Sequence, residues 1–97
     1  RFRIDQTSAG GGHMQEQLIG TVTHYFDKPH VGVVQLVADV SVGDTIHFRG
    51  HTTDFEQTAA SLQVEHGPVE SAAAGSEIAI HVDERVRAHD EVYLVTD

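Results

Sequence analysis

Apolar and polar residues alternate along two stretches of the chain, and a glycine stands shortly before each. The first stretch is Thr45–Arg49 after Gly43, and the second is Glu77–Val82 after Gly75. Alternation with a period of two is typical of a half-buried strand. A glycine ahead of it can take the positive φ that a tight corner needs. Two such corners favour a small closed antiparallel barrel.

The remaining apolar runs predict four further strands. They are expected at Leu18–Phe26, Val31–Val37, Phe55 to about Val64, and Glu91–Val95. A turn is expected at Pro29, and a bulge near Ala59–Ala60 would keep the long fourth strand in phase. Pro68 is expected to prevent the strand from continuing past Gly67, and Val69–Ala74 could form one helical turn. The fold class is therefore all-β, with six antiparallel strands.

Strand alternation also predicts which side chains face the core. In Thr45–Arg49, Ile46 and Phe48 are expected to face in, while His47 and Arg49 face out. The full predicted core consists of Val22, Val33, Ile46, Phe48, Leu62, Val64, Ile78, Ile80, Val82, Val92 and Leu94.

The first residues differ in composition from the rest. The only methionine, Met14, follows Gly10-Gly11-Gly12-His13, which is typical of a cloning scar. Residues 1–13 are therefore expected to be an expression-tag remnant, and residues 14–97 a single β-barrel domain. Arg1-Phe2-Arg3-Ile4 alternates like a strand, and we expect it to pair by strand addition with an edge of the barrel or with a neighbouring molecule.

Charge and composition exclude several classes of protein. A formal net charge of −9 disfavours direct binding to nucleic acid or to an anionic membrane. The absence of cysteine excludes thiolate sites and a cysteine nucleophile. No phosphate-binding Gly-x-x-x-x-Gly-Lys-Ser/Thr loop and no Gly-x-Ser-x-Gly motif occurs. We therefore expect a cytoplasmic protein that binds no nucleotide, needs no cofactor and is not an enzyme.

Histidine is the one candidate for site chemistry, with eight in the chain. Alternation places His47, Arg49 and His51 on one side of the sheet, and His81 with Asp83. Imidazole and carboxylate groups together could hold zinc or nickel. None of them has the spacing of a known metal motif, so surface histidines are favoured and a histidine-based metal-binding protein is the alternative. Protonation of several near pH 6.5 predicts a pH-dependent stability or association.

A family resemblance is carried by the run from Val42 to Ile46, by Gly50, and by the Ala-rich lead into Gly75–Ile80. These segments resemble the second domain of translational GTPases such as elongation factor Tu. The run His51–Thr58 is similar to small stand-alone translation elongation factor-like proteins, as are the segments 63–66 and 83–87.

The resemblance implies a six-stranded Greek-key barrel and a non-catalytic binding module whose partner is a protein or ribonucleoprotein. The partner-binding residues it favours are Arg49, His51, Asp54, Phe55, Arg85 and Arg87. One position departs from the family pattern, because His89 stands where a glycine generally precedes Asp90. His89 must therefore accept the local backbone bend, or the corner has another shape.

Overall fold

The computed structural model describes residues 15–65 and 67–96 as strands, turns and loops, with no helix. The predicted pairing of Arg1–Ile4 with a sheet edge lies outside these residues. The strands are β1 (Gln15–Phe26), β2 (Val31–Leu36), β3 (Val40–Ser41), β4 (Thr45–Arg49), β5 (Asp54–Thr58), β6 (Leu62–Val64), β7 (Gly67–Val69), β8 (Ser71–Ala72), β9 (Glu77–His81) and β10 (Glu91–Thr96). Nowhere in the described ranges is there a helix long and apolar enough to cross a bilayer.

Eight strands form one sheet in the order β5-β4-β10-β1-β2-β9-β6-β7, and β3 pairs with β8. All of these pairs are antiparallel. The prediction of an all-β antiparallel fold is thus confirmed. The last strand, β10, returns to lie between β4 and β1.

The long strand β1 joins the two halves of the sheet. Its first half pairs with β10 and its second half with β2, and the register shifts after Leu18 and again after Val22. Each shift inserts an extra residue, which bends the strand and increases its twist. At Gly20 the neighbouring strand approaches so closely that a Cβ would lie 2.7 Å from Val34 Cγ1. The two bulges therefore curl the sheet around its inner face.

The inner face holds one apolar core. Phe48 is fully buried and stacks on Phe55 with 5.1 Å between ring centroids. The buried cluster comprises Ile19, Val22, Val34, Leu36, Val40, Ile46, Phe48, Ala59, Leu62, Ile78, Ile80, Val82, Val86 and Val92. Of the predicted core, Val64 and Leu94 are only partly buried but pack against this cluster.

Val33 was predicted to be in the core, and that prediction is wrong. Gly32, Val34 and Leu36 face inwards along β2, so Val33 lies on the outer face, opposite Ala79. A continuous run of apolar residues does not reveal the phase of a strand, because either set of alternate positions could be buried.

The predicted corners are confirmed. Gly43 and Gly75 take φ values of 98° and 92°, and a Cβ at either would meet nothing within 4 Å. His89 also accepts the bend, with φ 79°. Its amide donates to the Val22 carbonyl, and the Val22 amide donates to the Asp90 carbonyl. Backbone hydrogen bonds on both sides of His89 thus fix it in a conformation that L-residues rarely adopt.

Asp90, which follows His89 at this corner, is buried although it is charged. Its Oδ2 accepts a hydrogen bond from the Arg87 amide. A Cβ on Gly50 would lie 1.8 Å from Asp90 Oδ1, so the absence of a side chain at position 50 makes room for the carboxylate.

Between residues 55 and 74 the predicted elements also differ from the structure. The expected strand from Phe55 to Val64 is divided into β5 and β6, because the chain crosses over at Ala59. The Ala59 amide donates a hydrogen bond to the Asp44 carbonyl, and the Ala59 carbonyl accepts one from the Gly43 amide. Pro68 does not stop pairing but lies within the short edge strand β7, where the missing N–H is tolerated. The expected helical turn at Val69–Ala74 is absent, and β8 occupies part of it.

Candidate functional site

The outer face of β5-β4-β10-β1 carries a cluster of ionisable side chains. Directly opposed residues of antiparallel strands point to the same side of a sheet. His47 of β4 lies opposite Tyr93 of β10 and Glu56 of β5. One row further on, Arg49 lies opposite Glu91 and Asp54. The alternation of β4 therefore places an imidazole and a guanidinium among carboxylates.

His47 is held at both ring nitrogens. Its Nδ1 lies 2.6 Å from Glu16 Oε2, and its Nε2 lies 2.5 Å from Asp54 Oδ1. The His47 side chain is only 14% exposed and that of Glu16 25%, whereas that of Asp54 is 80% exposed. Only the imidazolium carries a proton on each nitrogen, so only the charged form donates to both carboxylates.

The environment of His47 acts on its pKa in two directions. Burial is the largest single influence and lowers the pKa, because it disfavours the charged form. The hydrogen bonds and negative charges of Glu16 and Asp54 raise it and together outweigh burial. The pKa of His47 is therefore raised above its usual 6.5.

Arg49 and Tyr93 extend the cluster. The Arg49 guanidinium is 3.8 Å from Glu16 Oε1 and lies over the Tyr93 ring, 5.6 Å from its centroid. The Tyr93 hydroxyl donates to Glu91 Oε1 at 2.6 Å, and this hydrogen bond raises the pKa of the phenol. Glu16 thus receives contacts from two side chains of β4.

Sequence reasoning missed Glu16. It placed the start of β1 at Leu18, and the partner of Glu16 lies 31 positions along the chain, so no local spacing joins Glu16 to His47. The structure starts β1 at Gln15 and pairs Glu16 with Val95. Only the order of strands in the sheet could have indicated the contact.

The cluster favours charge pairing over metal binding or nucleophilic chemistry. Ligand atoms of Glu16, His47 and Glu56 lie within 4.8 Å of one another, which is compact enough for a cation. Both ring nitrogens of His47 already contact carboxylates, so a metal would have to displace one of them. Among residues 15–65 and 67–96, no serine or threonine hydroxyl bonds a histidine ring.

The six predicted partner-binding residues differ in their structural surroundings. Arg49 and Asp54 lie together on the outer face that carries the ionisable cluster, but Phe55 packs against the core. Arg87 reaches the loop before β5 through a 3.1 Å hydrogen bond from Nε to Thr52 Oγ1. His51 and Arg85 are exposed.

We expect stability to fall as pH rises through the folded-state pKa of His47. A raised folded pKa stabilises the protein fully below pH 6.5, the unfolded value, and that contribution is lost above the folded value. The loss should be about 1 kcal/mol or less, because the partners are partly exposed. Denaturant titrations of the protein and of His47→Gln between pH 5.5 and 8.5 measure it.

His51→Gln is the matched control, since His51 is exposed and lies on the adjoining loop. The control should retain the pH dependence of the unchanged protein, and His47→Gln should flatten it. Identical pH profiles for all three proteins would show that His47 does not hold this charge pair in solution.

A groove marks the outer face of the other half of the sheet. Its volume is about 620 Å³, and it is lined by Phe26, Val33, Gln63, Val64, Glu65, Gly75, Ser76, Glu77, Ile78 and Ala79. Val33 and Gln63 flank Ala79 as its partners on the two neighbouring strands. The groove was not predicted, because it depends on Val33 facing outwards.

Comparison with known proteins gives a sequence relative that is named as a protease. The chain is 35% identical over 80 residues to an uncharacterized protease of Methanocaldococcus jannaschii; the match covers 81% of this chain but 20% of the archaeal protein. The chain thus spans about a fifth of the length of that relative. No family model matches the chain.

Solved structures show the same fold. The C-terminal domain of a Geobacillus thermoleovorans protein named as a U32 peptidase has a TM-score of 0.75 and 19% identity, with 78% of this chain and 89% of that chain covered. The selenomethionine variant of that domain also gives 0.75, at 18% identity, with 78% and 96% covered. At this identity the likeness establishes the fold alone.

These findings correct the family assignment. The sequence relative is a protease, and the solved structures with the same fold are a peptidase domain rather than translation factors. The resemblance to translation elongation factor-like proteins and the translational binding role are therefore wrong. The expectation that the protein is not an enzyme is contradicted by the same names. The histidine-based metal-binding alternative gains no support from these relatives. Glycine corners and alternating strands recur in many β-domains, which is why they misled.

Proposed function

We propose that the chain serves as a domain of a U32-type peptidase and contributes to the cleavage of polypeptides by that larger protein. The observation that carries the proposal is the 35% identity over 80 residues to an archaeal protease, of which the chain matches only 20%. The shared fold with the C-terminal domain of a protein named as a U32 peptidase supports it.

The surface chemistry supports protein as the partner. A net charge of −9 repels phosphate backbones, so direct binding to nucleic acid is disfavoured. Within the domain, the proposed contacts for protein are Arg49, His51 and Asp54. They lie on or beside the outer face of β5-β4-β10-β1, which carries the cluster of ionisable side chains. Peptide-bond cleavage needs the substrate held in a productive geometry, and a rigid β-domain is suited to that task.

We also propose that the curled sheet closes into a Greek-key barrel. The return of β10 beside the first strand supports the Greek-key order. Gln57 supports closure: it lies on the edge strand β5, yet its Nε2 donates to the His81 carbonyl at 2.8 Å and its Oε1 accepts from the Asp83 amide at 2.7 Å. One side chain thus bridges the two halves of the sheet.

A domain exchange tests the proposed function. The matching segment of the archaeal protease is deleted in one variant and replaced by this chain in a second, the chimera. Hydrolysis of fluorescently labelled casein is measured for both and for the intact relative. We expect deletion to lower the rate at least about tenfold, because the substrate is no longer positioned, and we expect the chimera to recover it.

Circular dichroism of each variant separates loss of function from loss of folding. A folded deletion variant that cleaves casein at the intact rate would contradict a role for this domain in the peptidase. A folded chimera as inactive as the deletion variant would show that this chain does not serve the relative's activity.

A further inference from the structure

We propose that the groove on the outer face of β1, β2, β9 and β6 is a docking site for the rest of the peptidase chain. The segment that docks there presents an apolar side chain flanked by lysine or arginine. This inference rests on the proposed function, and it identifies the surface through which the domain would act.

The shape of the groove comes from the sizes of neighbouring side chains. Ala79, small and half-buried, occupies the middle of the sheet face between Val33 and Gln63. Phe26 lies at one side, 47% exposed, with its ring centroid 4.4 Å from that of His24. A large exposed aromatic ring beside a trough of aliphatic side chains is typical of a surface that binds protein.

The charge of the groove specifies its occupant. Glu65 and Glu77 are exposed among the lining residues, and none of those residues is a lysine or an arginine. Among residues 15–65 and 67–96, the Glu77 carboxylate accepts one side-chain hydrogen bond, a 3.5 Å contact from the Thr23 hydroxyl, which leaves it able to pair with a cation. A partner with basic residues beside its apolar side chain would therefore complement the groove.

A second copy of this chain complements the groove poorly. Two chains that each carry a net charge of −9 repel one another, and a copy would bring further carboxylates to Glu65 and Glu77. The relative, in contrast, contains this matched segment as 20% of its length, so the rest of that protein is available within the same molecule. Covalent linkage raises its effective concentration at the groove.

Alkylation of single cysteines measures whether the groove is covered. The chain has no cysteine of its own, so Gln63→Cys places one thiol at the groove and Val42→Cys places one on an exposed apolar residue outside it. Iodoacetamide labelling of each is followed by peptide mass spectrometry in the free chain and in the chimera. We expect the chimera to label about tenfold more slowly at position 63 and equally at position 42.

Charge reversal tests the chemistry of the occupant. In the chimera, Glu77→Lys should restore fast labelling at position 63, whereas Glu70→Lys, which changes an exposed glutamate outside the groove, should not. Equal labelling of the free chain and the chimera at position 63 would overturn the docking site. Slow labelling of the free chain that depends on its concentration would assign the groove to a second copy and overturn the proposal as well.

The labelling experiment tests the docking site and the casein assay tests the proposed function, so each proposal can be contradicted without the other. A chimera that cleaves casein but labels rapidly at position 63 removes the docking site and leaves the proposed function intact. A chimera that is protected at position 63 but inactive removes the proposed function, while the groove still binds the rest of the chain.

Discussion

Phe48→Ala is expected to lower the free energy of unfolding by about 3–5 kcal/mol, the usual cost of removing a buried aromatic ring. Phe48 is 0% exposed and stacks on Phe55, so the substitution leaves a cavity in the centre of the core. The surrounding strands are held by hydrogen bonds to neighbours on both sides, which limits their collapse into the space. Urea unfolding, followed by circular dichroism, measures the loss.

Phe26→Ala is the matched control for this experiment. It removes the same ring from a side chain that is 47% exposed, and its cost should stay within about 1 kcal/mol. If the two substitutions destabilise the protein equally, Phe48 is not the centre of the core.

Gln57→Leu is expected to cost about 1–3 kcal/mol, because it leaves the Asp83 amide and the His81 carbonyl without their partner. Leucine keeps most of the volume of glutamine, so the effect isolates the two hydrogen bonds. The same urea titrations report it. Hydrogen exchange at the Asp83 amide should also become faster, because that amide donates to Gln57 Oε1.

Gln63→Leu provides the comparison for Gln57→Leu. Gln63 is exposed on β6, and its replacement should change stability by no more than about 0.5 kcal/mol. If Gln57→Leu is as neutral as Gln63→Leu, the side chain does not close the sheet, and the proposed barrel loses its main support.

Local pattern was enough to predict β4 and its two faces. Alternation identified Ile46 and Phe48 as inward and His47 as outward, and the bounds Thr45–Arg49 agree with the structure. The positive φ at Gly43 and Gly75 followed from the need for tight corners. These features depend on residues close together in sequence, so a single sequence contains the information.

Features that depend on the order of strands in the sheet could not be predicted from the sequence. His47 meets Glu16 only because β10 returns between β1 and β4. The outward position of Val33, and with it the groove, depends on which face of β2 the bulges of β1 turn inwards. The function could not be predicted from the sequence either. The residues that carry the translation-factor resemblance belong to corners and strands that occur in many folds.

The central claim is that this domain serves a peptidase through its groove, and casein hydrolysis by the chimera carrying Ala79→Arg tests it most directly. An arginine at position 79 fills the middle of the groove, and Val42→Arg adds the same side chain to an exposed position outside it. We expect the rate for Ala79→Arg to fall about tenfold, which corresponds to about 1.4 kcal/mol of lost transition-state stabilisation. The rate for Val42→Arg should equal that of the unaltered chimera. Equal rates for both folded variants would contradict the claim.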